Sequence, residues 1–181
     1  AQATAAQLCR EIPGAEATGA SNAAAAASGE LIAVTVPFAS QLETLRTIRE
    51  AAKGKIVLDA TVPLVPPRVA RVQLPPEGSA AVRAQNELGP DVRVVSALHT
   101  VAAARLGSDA SAAEIGDVLV FGDDKASREV VVALLARMDL AALHGGSLAN
   151  SAAAEALTSV LIFMNRHYRA DHAGLRIIGI G

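Results

Sequence analysis

Four short segments made of small, rigid or polar residues follow predicted strands of this chain. They span residues 36–38, 61–66, 99–102 and 122–124. Ligands of open α/β sheets bind beyond the carboxyl ends of the strands, and turns built from Pro, Gly, Ala and Thr let the backbone approach a flat ring closely. The segments therefore predict a cleft for a planar ring at one edge of a sheet.

Only a few side chains could take a direct part in chemistry. His99 follows a predicted strand and could contact a ring or handle a proton, although a hydrogen-bonded structural histidine suits this position equally well. Asp123 and Asp124 could bind a cation, but a strand-ending turn with Asx hydrogen bonds is the favoured interpretation. Asn150 and Glu155 could reach the cleft, or Asn150 could cap or brace a long helix.

The cysteine and histidine content gives no pattern for a metal site. Cys9 is the only cysteine, which excludes an intramolecular disulfide. His144, His167 and His172 form no ligand arrangement with a cysteine or carboxylate, and we assign them surface or packing roles. We therefore predict no metal and a reducing, cytoplasmic location.

The composition excludes several classes of partner. Hydrophobic residues make up 51% of the 181 residues and aromatic residues only 2%, so few side chains could stack on bases. The formal net charge of -2 offers no basic surface for nucleic acid or an anionic membrane. No apolar stretch approaches the roughly 20 residues that cross a bilayer. We expect a soluble protein that binds neither nucleic acid nor membrane.

Apolar runs and amphipathic segments alternate along the chain. This alternation predicts an α/β fold with a parallel sheet, because parallel strands need a long return connection that a helix commonly supplies. We expect one domain over residues 1–140 and a small C-terminal domain over 141–181. The predicted strands are 31–36, 56–59, 92–98, 117–121, 140–143 and 175–178, and the predicted helices are 2–12, 40–53, 79–88, 125–138 and 147–169.

A series of motifs in one order gives the chain a family resemblance. The motifs are VPF at 36–38, TVPL at 61–64, EGSAA at 77–81, SALHTV at 96–101, GDD at 122–124, SLAN at 147–150 and EALT at 155–158. Over roughly residues 30–181 the chain resembles the NADPH-dependent F420 reductases, which are deazaflavin-dependent NADP oxidoreductases. Each motif is weak alone, but their order and spacing make the resemblance specific.

The resemblance implies hydride transfer between NADP(H) and coenzyme F420. The two rings would stack in a cleft between a Rossmann-like domain and a small C-terminal domain. The protein would act by positioning, with no catalytic residue of its own, because the cofactors carry the chemistry. The implied positions are Val36, Pro37, Phe38 and Pro63, with the first three beside the nicotinamide, and Ser79, His99, Thr100, Val101 and Ala102 on the deazaflavin side.

The chain departs from the family pattern at its start. It contains no G-x-G-x-x-G turn to hold a pyrophosphate at a helix N-terminus, and no Ser/Arg region for a 2'-phosphate. We expect an upstream strand-helix-strand unit of about 35 to 40 residues, because a sheet without it would expose a long edge. The alternative is a polypeptide that begins here and binds NADP weakly. Gly146-Ser147-Leu148 also replaces the family's Gly-Pro-Leu.

Two other functions remain open from the residues alone. The same fold could reduce another flavin or a pterin with NADPH, since ring specificity is not visible in these motifs. The chain could also be a non-catalytic binding or dimerisation module that uses the helix at 147–169 as its partner surface. The apolar face of that helix also predicts a homodimer.

Overall fold

A five-stranded sheet with its strands in sequence order forms the centre of the molecule. The computed structural model describes residues 1–107 and 111–180, so Gly181, the last residue of the predicted C-terminal domain, lies outside the described residues. The predicted α/β class, with a Rossmann-like sheet and a helical C-terminal part, is confirmed. The strands are β1 (Leu31–Val34), β2 (Ile56–Asp59), β3 (Arg93–Ser96), β4 (Asp117–Gly122) and β5 (Ala141–Gly146).

The five predicted helices are present, and α2, α5 and α6 are further short helices that were not predicted from the sequence. In the region of the site, α3 begins directly after the turn that follows β1, and α4 begins at the Ser79 cap. The long helix α8 follows a 3-10 turn at Leu148–Asn150. The helices are α1 (Gln2–Glu11), α2 (Asn22–Ser28), α3 (Phe38–Ala52), α4 (Ala80–Leu88), α5 (Ala103–Leu106), α6 (Ala112–Ile115), α7 (Lys125–Ala136) and α8 (Ser151–Tyr168).

Both faces of the sheet are covered, as the continuous apolar strand sequences indicate. Val57 and Val94 pack into one apolar cluster with residues of α3 and α4. Their neighbours Leu58 and Val95 pack into a second cluster with residues of β4 and α7. Because successive side chains of a strand point to opposite faces, these pairs show that helices cover the sheet on both sides.

The prediction that the whole sheet is parallel is wrong. β1, β2 and β3 are parallel, and so are β4 and β5, but β3 and β4 pair antiparallel. Ser96 pairs with Phe121, so the beginning of β4 lies beyond the carboxyl end of β3. The chain therefore turns back at that end, through the four-residue helices α5 and α6, instead of returning along the sheet through a long helix.

The reversal also separates one predicted cleft segment from the other three. Residues 123–124 follow β4 and lie beside Arg93 and Val94, towards the amino end of β3. The Asp124 carboxylate accepts a hydrogen bond from Ser127 N at 2.8 Å and caps α7, and the Asp123 carboxylate accepts one from Leu148 N at 2.9 Å. The expected convergence of this segment on the cleft is wrong, and the favoured hydrogen-bonded turn is confirmed.

The end of the chain crosses the start of β4 without forming the predicted strand at 175–178. Asp117 N donates to Leu175 O at 2.7 Å, whereas Ile177 N donates to the Asp117 carboxylate at 2.6 Å. The Asp117 carboxylate thus accepts the hydrogen bond that a backbone oxygen of β4 would accept if residues 175–178 formed a strand beside it. Gly116 allows the close approach, since a Cβ there would collide with Leu175 O.

The two predicted domains share this sheet. β5 belongs by sequence to the predicted C-terminal domain, yet it pairs along its length with β4. The boundary between residues 140 and 141 stays a prediction. No helix within residues 1–107 and 111–180 combines the length and apolar character that a bilayer crossing needs.

Candidate functional site

The predicted nicotinamide segment lies in an apolar groove at the carboxyl ends of β1 and β2. Val34 pairs with Asp59 at that edge, so the turns after the two strands are neighbours. Their residues enclose a groove of about 430 Å³. Its lining consists of Thr35, Val36, Pro37, Phe38, Val62, Leu64, Pro66 and Val69. Apolar walls and rigid proline turns suit the binding of a flat ring, and the sequence predicted a cleft of this kind at this edge of the sheet.

The segment after β3 lies in a second, smaller cavity of about 100 Å³. His99, Thr100, Val101 and Ala102 form one wall, and α8 contributes residues such as Thr158 and Leu161. The structure therefore brings all four predicted residues together. It also places the predicted C-terminal helix against them.

His99 is buried and neutral at physiological pH. Its Nε2 lies 2.7 Å from Ser96 Oγ, and its backbone oxygen accepts a hydrogen bond from Thr158 Oγ1 at 2.8 Å. Burial lowers the pKa of His99 to about 4. Leu98, just before it, has a φ of 70° and makes the sharp turn that directs this segment against α8. The residue thus has structural hydrogen bonds and also lines the cavity.

Two predicted cofactor residues lie behind the cavity walls. Pro63 is buried between the groove residues Val62 and Leu64. Ser79 is fully buried and caps α4, because its hydroxyl accepts a hydrogen bond from Val82 N at 3.0 Å. Both side chains support the walls in this structure, and their direct contact with a cofactor stays a prediction.

Glu155 makes a buried connection between α8 and α4 that its sequence position only partly signals. Its carboxylate accepts hydrogen bonds from Ala80 N at 2.7 Å and Ala81 N at 3.1 Å. Ser151 Oγ donates a third at 3.2 Å. Together with the Ser79 cap, Glu155 satisfies the free N–H groups of the first turn of α4. Burial, the largest cause, raises the pKa of Glu155 to about 7.

Asp59 is a second buried acid on the same side of α4. Its carboxylate accepts hydrogen bonds from Gln41 Nε2 at 2.6 Å and from Thr61 N at 3.0 Å. Gln41 Nε2 also donates to Ala80 O at 3.0 Å, so α3, β2 and α4 meet at one amide. Burial raises the pKa of Asp59 to about 6, against the lowering effect of its hydrogen bonds. An acidic residue that ends a buried strand was the available sequence signal.

The remaining candidates have structural or surface positions. Asn150 is exposed and braces the turn before α8, because its amide donates to Gly145 O at 3.0 Å. His144 is exposed, His167 stacks on Phe163, and His172 lies 3.1 Å from the carboxylate of Asp171. Over the described part of the chain, no group of three His, Cys, Asp or Glu residues could hold a metal ion.

The fold and the groove together define a class of protein. A Rossmann-like sheet with an apolar, proline-lined groove at the carboxyl ends of its parallel strands is typical of dinucleotide-dependent oxidoreductases. No protein-family model matches the chain. Individual proteins do match the chain in sequence over most of its length, and these relatives come from one family of such oxidoreductases.

The chain belongs to the F420-dependent NADP reductase family. It is 34% identical over 166 residues to the F420-dependent NADP reductase of Methanocaldococcus jannaschii, which covers 90% of this chain and 74% of that relative. The Methanothermobacter thermautotrophicus F420-dependent NADP reductase is also 34% identical, over 90% of this chain and 72% of the relative. Each match is well above the level at which only the fold is shared.

Solved structures agree with this membership. A crystal structure from Arthrobacter sp. FB24, provisionally described as an F420-dependent NADP reductase, superposes with a TM-score of 0.81 at 25% identity and covers 98% of this chain and 86% of that one. An imine reductase from Streptomyces aurantiacus, 17% identical with a TM-score of 0.59 over 91% of this chain and 52% of that one, shares the fold alone.

Proposed function

We propose that this protein catalyses hydride transfer between NADP(H) and coenzyme F420, with both cofactors bound at the carboxyl edge of β1 to β3. The observation that carries the proposal is the placement of the family motifs. Residues 36–38 and 99–102, far apart in sequence, line two cavities at the same edge of the parallel part of the sheet. Membership in the F420-dependent NADP reductase family supplies the two cofactors.

The cofactors supply the redox chemistry, in which a hydride passes between C4 of the nicotinamide and C5 of the deazaflavin. The protein contributes position. Val36, Pro37 and Phe38 present an apolar wall for the nicotinamide, and proline fixes the turn from which α3 starts. Two rings held against each other by these walls would need no further catalytic group.

The wall that includes residues 99–102 would border the deazaflavin. His99 is neutral there, so it adds no charge beside the ring and can donate or accept one hydrogen bond. Thr158 fixes this segment by donating to His99 O, and Leu161 and Ile162 keep the cavity apolar. Apolar walls exclude water from the transfer path.

The test is the loss of the absorbance band of oxidised F420 when NADPH and the protein are added. Bleaching that depends on both NADPH and the protein is the expected result. Flavin mononucleotide and a pterin serve as alternative acceptors in parallel reactions. Reduction of one of these acceptors without reduction of F420 would show that the protein is a reductase of that acceptor and not of F420. Binding of no cofactor would favour a non-catalytic module.

We also propose that the protein forms a homodimer through α8. Val160, Phe163, Met164 and Tyr168 are exposed large apolar or aromatic side chains on its C-terminal half. Phe163→Lys is expected to convert a dimer into a monomer in light scattering, while Val130→Lys on the exposed side of α7 is expected to have no effect. A monomeric wild type would contradict this. A cytoplasmic location is our further prediction, since the free thiol of Cys9 suits a reducing compartment.

A further inference from the structure

Arg83 is an arginine beside the groove without a polar partner. Its guanidinium carbon lies 4.2 Å from the centre of the Phe38 ring, which is a cation–π contact. Its Nε is buried and has no hydrogen-bond partner. Within the part of the chain that the structure describes, no acceptor forms a hydrogen bond or ion pair with the rest of the guanidinium.

Other arginines of the chain show what such a side chain normally does. Arg46 forms an ion pair with Glu87 at 3.3 Å. Arg93 and Arg128 donate to the backbone oxygens of Gly54 and Gly122, although Nε of Arg128 is also buried without a partner. A guanidinium has five N–H donors in a planar fork, and leaving a buried donor without an acceptor is unfavourable. The contact with Phe38 offsets only part of that cost.

Asp59, the buried acid near Arg83, does not form an ion pair with it. Asp59 attracts Arg83 at longer range, but its carboxylate is fully buried and its hydrogen bonds come from Gln41 and Thr61. Glu155 is likewise engaged with the N-terminus of α4. Arg83 therefore retains a positive charge and free donors.

Arg83 is next to the groove because it contacts Phe38, one of the lining residues. Arg83 lies one turn into α4 and is partly exposed, and the ring it covers is Phe38, which lines the groove with Val36 and Pro37. We propose that Arg83 binds an anionic group, phosphate or carboxylate, of a cofactor bound at this edge of the sheet, and that it contributes to cofactor affinity. This proposal rests on the hydride transfer proposed above.

Two cofactor portions carry the required chemistry. NADP has a pyrophosphate and a 2'-phosphate, and the side chain of F420 has a phosphodiester followed by glutamate carboxylates. All of these match the planar donor fork of an arginine, which binds such anions through two parallel hydrogen bonds. The deazaflavin riboside without this side chain has the same ring and no anion, so it separates the two sources.

The experiment measures dissociation constants of NADPH, F420 and the deazaflavin riboside for the wild type and three variants, by fluorescence titration at low and moderate salt. Arg83→Gln removes the charge, and Arg83→Lys keeps the charge but loses the fork. Arg46→Gln removes one exposed positive charge elsewhere and is the matched control. Thermal unfolding of each variant shows that it is folded.

We expect Arg83→Gln to weaken binding of one anionic cofactor about tenfold, with a smaller loss for Arg83→Lys and none for Arg46→Gln. Weaker F420 binding with unchanged riboside binding assigns the anion to the F420 side chain, and weaker NADPH binding assigns it to the dinucleotide. If folded Arg83→Gln binds NADPH and F420 as tightly as the wild type, the proposed role of Arg83 is overturned and the proposed function is not. A wild type that binds neither cofactor overturns the proposed function as well.

Discussion

The carboxylate of Glu155 lies 2.7 Å from the backbone nitrogen of Ala80, 75 positions earlier in the chain, and caps α4 from outside. The same carboxylate accepts from Ala81 N. The carboxylate oxygens accept from the free N–H groups of the helix N-terminus, and in the ionised form of Glu155 the negative charge also meets the positive end of the helix dipole. This contact fixes α8, which lines the His99 cavity, to α4, which carries Arg83.

Removing this cap is expected to destabilise the protein. Glu155→Ala leaves two buried N–H groups without acceptors, and a buried donor left unsatisfied costs about 1–3 kcal/mol. We expect a loss of about 2–3 kcal/mol in the free energy of unfolding from urea titrations, and a smaller loss for Glu155→Gln, which retains one acceptor. Glu129→Gln on the exposed face of α7 is the control and should change stability by less than about 0.5 kcal/mol. Equal stabilities for Glu155→Ala and the control would contradict the capping role.

Asp59 is expected to make the protein less stable as the pH rises. Its pKa is raised from 3.8 to about 6 in the folded state, so the folded protein holds this proton more tightly than the unfolded chain. Unfolding then releases that proton between about pH 4 and 6, and the stability that it contributes is lost across this window. Asp59→Asn removes the titration, so its stability relative to the wild type should increase from pH 4 to 7. A constant difference in urea unfolding across that range would contradict the raised pKa.

The opposite dependence is expected from His99. Its pKa is lowered from 6.5 to about 4, so the unfolded chain takes up a proton more readily and stability falls as the pH drops through this range. The net profile of the wild type combines these trends with that of Glu155, whose pKa is also raised, so the variant difference, and not the wild-type curve, tests Asp59.

Sequence patterns predicted the elements better than their directions. The apolar runs of β1 to β4 and the three-residue spacing in α3 locate these elements correctly, because burial on one or two faces leaves a periodic record. The antiparallel direction of β4 leaves no such record. It depends on where the chain between β3 and β4 turns, and the short helices there have no strong periodicity.

The same limit applies to the site. Segments 36–38 and 99–102 were recognisable by their small and rigid residues at strand ends. The cap by Glu155 and the position of Arg83 over Phe38 join residues 75 and 45 positions apart, and local patterns do not encode such contacts. A glutamate at the start of a helix is ordinarily a solvent-exposed residue, so its burial could be learned only from the fold.

Replacing His99 tests whether its ring contributes to the cavity. We expect His99→Ala to weaken deazaflavin binding severalfold, since it removes one wall and the remaining nitrogen donor or acceptor. Ser96→Ala is the matched control, because it removes the 2.7 Å hydrogen bond to Nε2 while the ring stays. Fluorescence titration gives both affinities. Unchanged affinity and turnover in a folded His99→Ala protein would leave His99 with a purely structural role.

Filling the groove tests the nicotinamide side independently. Val36 is partly buried and lines the groove with Pro37 and Phe38. The phenyl ring that Val36→Phe introduces would occupy space that the nicotinamide needs. We therefore expect the dissociation constant of NADPH to rise at least tenfold, while that of the deazaflavin riboside changes little. Val130→Phe, on the exposed side of α7, adds the same ring elsewhere and should leave both constants unchanged. If Val36→Phe weakened only deazaflavin binding, the two rings would have to be exchanged between the groove and the His99 cavity.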